Sequence, residues 1–199
     1  MKAFKRLAFI ALIIVTAACD LYTPFEGAGI SWGYFTADMN GSAWNKLYKN
    51  AFQSVYAHIS ENTDSLCPGK TGSMVSNSHD SNGVRQQELI FLHLPLTTGK
   101  YKLTSDEVKY CGDNRVHVTL YSQIENDVSG DIFKILPGSD SYLQINSINL
   151  STGEIFGEFN FTMVVFGPKD RSTLPDTLRF TNGRFHTKIL KPVKRERHL

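Results

Sequence analysis

The sequence predicts an all-β domain, an antiparallel sandwich or a barrel-like fold, on three observations. Short runs rich in aromatic and β-branched residues recur between turn signals from about residue 30 to residue 190, which is the pattern of antiparallel β architectures. Several runs alternate apolar and polar side chains with the period of two that a half-exposed strand requires. The dipeptide most typical of a tight hairpin turn occurs at Asn40-Gly41 and at Asn182-Gly183. Helix is expected to be the minor state.

The first half of the predicted domain begins with a hairpin. Asn40-Gly41 is expected to join a strand at Trp32–Met39 to one at Ser42–Trp44. The stretch from Asn62 to Val84 is full of Ser, Asn, Gly and Asp and is predicted to be a long loop. Further strands are predicted by their apolar runs at Gln53–Ile59, Glu88–Leu96, Lys100–Thr104, Arg115–Tyr121 and Ile132–Leu136.

The second half contains the clearest hairpin of the chain. Its arms are Tyr142–Leu150 and Glu154–Phe166, joined by Ser151-Thr152-Gly153. The second arm alternates, with Phe159, Phe161, Met163 and Val165 on one face and Glu158, Asn160 and Thr162 on the other. Asn182-Gly183 is expected to turn a last pair of strands, Leu178–Thr181 and Arg184–Ile189.

The amino terminus predicts export and a lipid anchor. A basic stretch, Met1–Arg6, precedes the aliphatic run Leu7–Val15, and Thr16-Ala17-Ala18 leads into Cys19. This order resembles the lipobox of bacterial lipoproteins, which implies removal of residues 1–18 and lipidation of Cys19. A plain secretory signal cut after Ala18 is the alternative. The apolar run is too short for a transmembrane helix, which needs about twenty residues.

The predicted organisation has four parts: a signal peptide at 1–18, a lipidated tether at 19–29, one β domain at 30–190 and a basic tail at 191–199. Removing residues 1–18 takes away three of the 21 basic residues and none of the 19 acidic ones, so the net charge falls from +2 to −1. Nucleic acid is therefore not expected as a partner.

The remaining cysteines, Cys67 and Cys111, form an even pair in a chain predicted to be exported. A disulfide is the simplest interpretation in an oxidising compartment. Two free buried thiols are the alternative, because the sequence does not establish that the two Cα atoms are close enough.

Four short motifs occur in order: Asn-Gly-x-x-Trp at 40–44, Gly-x-Tyr-x-Leu at 99–103, Gly-x-Phe-x-Phe at 157–161 and Thr-Asn-Gly-x-Phe at 181–185. In outline the chain resembles the uncharacterised single-domain β-rich lipoproteins of Bacteroidota. The resemblance implies the β fold and the envelope location, with no activity to carry over. It also implies possible O-glycosylation at Ser65 and Thr177, since Asp64-Ser65-Leu66 and Asp176-Thr177-Leu178 resemble the acceptor motif of those bacteria.

A search for catalytic motifs is negative. Gly69-Lys70-Thr71 lacks the glycine that a phosphate-binding loop requires at position 64. Asp80-Ser81-Asn82-Gly83 places Leu89 where a calcium loop needs a carboxylate. The predicted strands carry isolated histidines, which are more often structural than metal ligands: His93, His117 and His186. No catalytic residue, metal or cofactor is predicted.

Three hypotheses for function follow. The first is a noncatalytic, lipid-tethered binding or structural module of the cell envelope, with outer membrane preferred over inner membrane and the face left open. The second is a glycan- or small-ligand-binding accessory lipoprotein of an uptake system, which an exposed aromatic strip or an apolar pocket would favour. The third, an enzyme, would need carboxylates and histidine converging in one cleft. Most aromatic candidates for an exposed sugar platform are expected in the core: Trp32, Tyr34, Trp44, Tyr48, Tyr56, Tyr101, Tyr110 and Tyr121.

Overall fold

The computed structural model describes residues 31–44, 52–62, 69–106, 115–125, 128–169 and 173–190. These residues form eleven strands: β1 (Gly33–Met39), β2 (Ser42–Ala43), β3 (Phe52–Asn62), β4 (Gly69–His79), β5 (Arg85–Leu94), β6 (Gly99–Thr104), β7 (Arg115–Glu125), β8 (Val128–Ile135), β9 (Tyr142–Asn149), β10 (Glu154–Phe166) and β11 (Thr177–Lys188). Within these ranges no helix is both long enough and apolar enough to cross a bilayer.

All strands belong to one sheet, which follows the order β2-β1-β11-β10-β9-β6-β7-β5-β4-β3. The two ends of this order approach each other, because the Trp32 amide donates to the Val55 carbonyl at 2.7 Å and the Leu190 amide donates to the Ala57 carbonyl at 2.8 Å. The sheet therefore curls round in a barrel-like way, and the predicted fold class is confirmed. One strand pair departs from the antiparallel prediction, since β6 and β7 run parallel.

Strand β8 occupies an unusual place. Strand β10 pairs with β9 through Glu154–Asn160 and with β8 through Met163–Phe166. Strand β7 likewise pairs with β6 through Arg115–His117 and then with β8 from Thr119 onward. The space between β10 and β7 in the sheet is thus occupied at one end by β9 and β6 and at the other end by β8. The sheet is interrupted where β8 meets these two strands.

The core is built from the inward-facing side chains of nearly every strand, and aromatic rings dominate its centre. The Phe35 ring lies 5.4 Å from that of Phe185, 5.9 Å from that of Phe159 and 6.0 Å from that of Phe91, measured between centroids. Trp44 is also buried, and its indole N–H donates to Gln87 Oε1 at 2.7 Å, which satisfies the polar atom of an otherwise apolar ring.

Two reciprocal glycine–phenylalanine pairs connect β10 to β11. Gly157 lies directly opposite Phe185, and Phe159 lies directly opposite Gly183. A Cβ atom on Gly157 would collide with the Phe185 ring and the Gln144 carbonyl, and one on Gly183 would collide with Phe159. Each glycine therefore provides the space that the opposite ring fills.

The hairpin predicted at Asn182-Gly183 is wrong. Strand β11 runs without interruption through these residues, because the segments on both sides pair with the same two neighbours, β1 and β10. Asn182 does adopt a positive φ of 54°, and the β10 ladder shifts register between Phe159 and Phe161. The dipeptide thus forms a bulge. Asn40-Gly41, in contrast, is the predicted turn between β1 and β2.

The long loop predicted from Asn62 to Val84 is also wrong, because Gly69–His79 within it form β4. This strand pairs along its whole length with β3 and on its other side with β5, so its backbone polar groups are satisfied. A turn follows β4, where Asp80 Oδ1 accepts hydrogen bonds from the amides of Asn82 and Val84. The confirmed hairpin of β9 and β10, by comparison, has the predicted arms almost residue for residue.

The glycine–phenylalanine pairs predict a large packing penalty for a single methyl group. Gly157→Ala is expected to lower the free energy of unfolding by about 2–3 kcal/mol, because the added Cβ overpacks the core. Gly41→Ala is the matched control, since its Cβ would meet open space and only the positive φ is strained. This strain is expected to lower the free energy of unfolding by about 1 kcal/mol. Urea unfolding of both variants measures the difference. Equal losses of unfolding free energy in the two variants would show that Gly157 is not required for the close approach of β10 and β11.

Candidate functional site

A row of aromatic side chains lies on the outer face of β1, β11 and β10. Tyr34, His186 and Phe156 stand directly opposite one another on the three strands, and Trp32 precedes β1 next to them. We call these four residues the aromatic strip. Tyr34 is 45% exposed and Phe156 is 37% exposed, although large aromatic side chains are normally buried in a domain of this size. The strip is therefore an exposed apolar feature of the kind that marks binding surfaces.

The strip is organised around the imidazole of His186. The Phe156 ring stacks on it with 3.6 Å between centroids, while Trp32 meets it edge-on at 4.5 Å and Tyr34 at 6.1 Å. The Lys188 ammonium lies 5.5 Å from the centre of the Trp32 ring. Burial against these rings lowers the pKa of His186, and the nearby Glu154 carboxylate partly opposes that shift. A neutral imidazole is thus favoured at the centre of the strip.

A polar groove with a volume of about 450 Å³ adjoins the strip on the same face. In the row next to the aromatic one, Glu158 lies directly opposite Arg184. Neither side chain has a hydrogen bond or an ion pair within the described parts of the chain. Asp38, in contrast, accepts a hydrogen bond from Asn182 Nδ2 at 2.8 Å. The groove lining is Thr36, Ala37, Asp38, Ala43, Tyr142, Glu158, Phe159, Asn160, Asn182, Gly183 and Arg184.

The combination of flat rings and hydrogen-bonding side chains suits a carbohydrate. Sugar rings present apolar C–H faces that pack on aromatic rings, and their hydroxyl groups need both donors and acceptors. Arg184 supplies donors, Glu158 supplies acceptors, and Asn160 supplies both. Among the residues that the structure describes, no group of three or more His, Cys, Asp or Glu side chains could hold a metal ion.

The structure places only some of the predicted site residues. Cys19, Ser65, Cys67 and Cys111 lie outside the described residues, so the predictions of lipidation, glycosylation at Ser65 and a disulfide stay predictions. Thr177 is exposed at the start of β11, where its carbonyl accepts a hydrogen bond from Asn40 Nδ2. Because Thr177 is exposed, its own burial would not obstruct a glycan attached to its hydroxyl group.

The three strand histidines do not form one site. His117 on β7 contacts the Asp106 carbonyl through Nδ1 and Thr119 Oγ1 through Nε2, and His93 lies on β5 with a positive φ of 57°. His186 alone belongs to the exposed strip.

Sequence reasoning found half of the aromatic strip. Trp32 and Tyr34 are among the aromatic residues named as candidates, whereas Trp44 and Tyr101 from the same set are buried. Tyr48 and Tyr110 lie outside the described residues. His186 was named only as an isolated strand histidine and not as part of an aromatic surface. Phe156 was missed, although it carries a signal: it is an aromatic residue on the polar face of the alternating strand, between Glu154 and Glu158. The remaining candidates, Tyr56 and Tyr121, lie on β3 and β7.

No protein-family model matches the chain, and neither a curated protein nor a solved structure is similar to it. The chemistry of the aromatic strip and the polar groove is therefore the basis for assigning a function.

The lowered pKa of His186 predicts a pH-dependent stability. The folded protein binds fewer protons than the unfolded chain between the lowered pKa and the ordinary value of 6.5, so stability present above pH 6.5 is lost as the pH falls through that window. His186→Phe removes this term and keeps a planar ring. The melting temperature of the variant is expected to fall less between pH 7.5 and pH 5 than that of the parent, as measured by calorimetry. Parallel curves of melting temperature against pH for the two proteins would contradict the assignment of this pH dependence to His186.

Proposed function

We propose that this protein is a lipid-anchored, noncatalytic binding module of the cell envelope whose outer β1–β11–β10 face binds a glycan. The proposal joins two hypotheses from the sequence, an envelope binding module and a glycan-binding accessory lipoprotein. The observation that carries it is the exposed aromatic strip beside a groove in which Glu158 and Arg184 have no hydrogen bond or ion pair with any residue that the structure describes.

The dimensions of the strip support an oligosaccharide. Tyr34, His186 and Phe156 lie on three adjacent strands, and strands are about 4.8 Å apart. The strip is thus about 10 Å wide, which accommodates more than one sugar ring. The rings are fixed by their contacts with His186, so little conformational entropy is lost when a ligand packs on them.

The charges of the groove favour a neutral glycan. Asp38 and Glu158 contribute two carboxylates and Arg184 contributes one guanidinium, so a strongly acidic polysaccharide would be repelled. Neutral hydroxyl groups can pair with both kinds of side chain. We therefore infer that the ligand is an uncharged or weakly charged oligosaccharide.

The proposed anchor fits this role. A tether at residues 19–29 could reach roughly 35 Å when extended, which is enough to hold the face away from the bilayer surface. More than one acyl chain on Cys19 would make the attachment lasting, since a single chain binds only marginally. We propose the outer membrane as the location.

Glycan binding is tested with the mature protein in detergent, first on an array of neutral oligosaccharides and then by calorimetry with the best ligand. Tyr34→Ala and Phe156→Ala are each expected to weaken binding at least tenfold, because each removes one stacking surface. Leu92→Ala is the control, since Leu92 is a comparably exposed apolar residue on β5.

Two outcomes would contradict the glycan proposal. One is the absence of binding to any oligosaccharide on the array. The other is strip-dependent binding to protein-free liposomes in place of glycans, which would make the aromatic residues a contact with the bilayer interface, where Trp and Tyr are also enriched.

The anchor is tested in cells with labelled fatty acid. Cys19→Ala is expected to abolish incorporation of the label and to release the protein from the membrane fraction, because no other thiol follows a lipobox-like sequence. Cys67→Ala is the matched control and is expected to retain both the label and the membrane association. Unchanged labelling of Cys19→Ala would refute lipidation at this residue.

A further inference from the structure

A row of polar side chains lies on the inner side of the barrel-like sheet, on β3, β4, β5 and β7. Ser78 on β4 stands directly opposite Gln53 on β3 and Gln87 on β5. Gln87 in turn stands directly opposite Ser122 on β7. We call these four residues the inner polar row. They point into the core, because the residues two positions away on β3, β5 and β7 share their faces and are buried core residues: Val55, Leu89 and Leu120.

Both glutamine side chains of the row are held by their carbonyl oxygens. Gln53 Oε1 accepts a hydrogen bond from the Phe35 amide at 3.1 Å, and Gln87 Oε1 accepts one from the Trp44 indole N–H at 2.7 Å. These partners are donors only, so turning either side-chain amide around would place two donors face to face. The orientation of both amides is therefore fixed. Their Nε2 atoms are buried and have no hydrogen-bond partner in the described part of the chain.

Two serine hydroxyl groups of β4 are also unmatched. Ser78 is 3% exposed, and Ser76, two residues earlier on the same face, is completely buried. Neither Oγ atom has a hydrogen-bond partner among the residues that the structure describes. Ser122, in contrast, is satisfied, because its Oγ accepts a hydrogen bond from the Asp131 amide at 2.7 Å. The unmatched groups of the row and of Ser76 thus lie side by side on β3, β4 and β5.

Unmatched polar groups inside a protein are costly, because they lose the water that hydrates them in the unfolded chain. Four such groups in one place would cancel a large share of the small net stability of a folded domain. The side chain of Ser76 is also shorter than those of Val55 and Leu89, which stand directly opposite it. Strand β4 therefore leaves more space inside the sheet than its two neighbours do. An enclosed polar site of this kind is where proteins hold buried water.

We propose that the inner polar row binds enclosed water molecules, one on each side of Ser78. Each water molecule accepts a hydrogen bond from the Nε2–H group of Gln53 or Gln87. Each also bonds to Ser78 Oγ, which can donate to one of them and accept from the other. A charged ligand would lack a counter-charge, since the row consists of uncharged side chains. The water molecules bridge β3, β4 and β5 from inside, and this site is independent of the proposed glycan face.

The site is tested on the mature protein by two magnetic resonance measurements. In the parent protein, the side-chain N–H protons of Gln53 and Gln87 are expected to show direct cross-peaks to long-lived water. Water relaxation dispersion counts the long-lived water molecules, and Ser78→Val is expected to lower that count by at least one, because the larger side chain fills the space and offers no hydrogen bond. Ser73→Val is the matched control and is expected to leave the count unchanged. Ser73 is a buried serine on the same strand, but its Oγ already bonds to His58 Nε2 at 2.8 Å on the outer face.

Three results would overturn the proposal. The first is a lack of water cross-peaks at both glutamine side chains of the parent protein, a measurement that depends on no variant. The second is an equal fall in the count of water molecules in Ser78→Val and Ser73→Val. The third is a set of cross-peaks from these side chains to a bound organic molecule in place of water. Tyr34→Ala is expected to leave the count unchanged, so a failure of the glycan proposal and a failure of this one can be told apart.

Discussion

The register between β10 and β11 is the constraint on which the rest of the structure depends. Two glycines and two phenylalanines fix it, because Phe185 fits only over Gly157 and Phe159 only over Gly183. A slip of one residue would turn every side chain of the strand to the opposite face. The core would then lose its central rings, and the aromatic strip would lose the alignment of Phe156 with His186.

The same register separates two kinds of chemistry on one pair of strands. Inward positions carry the rings that pack against Phe35, whereas the outward positions next to them carry Phe156, Glu158, Arg184 and His186. The alternation of side chains along the strands thus places the core on one face and the aromatic strip with the polar groove on the other.

Local signals were enough to predict the parts of the fold that depend on neighbouring residues. The β9–β10 hairpin and the Asn40-Gly41 turn follow from alternation and turn chemistry alone. The signal for the β4–β5 turn was also present, since Asn82-Gly83 is an Asn-Gly dipeptide, but the polar composition around it favoured a loop.

The remaining features depend on contacts that are distant in sequence. Asn182-Gly183 has the same local chemistry as Asn40-Gly41, yet it forms a bulge because β1 and β10 continue on both sides of it. The polar strand β4 is stable because two long neighbours satisfy its backbone. Trp32 and Tyr34 were recognisable as candidate ligand contacts, but His186 joins them only through the register of β11. The interruption of the sheet could not be predicted either, since it exists only because β6 and β8 enter the space between β10 and β7 from opposite ends.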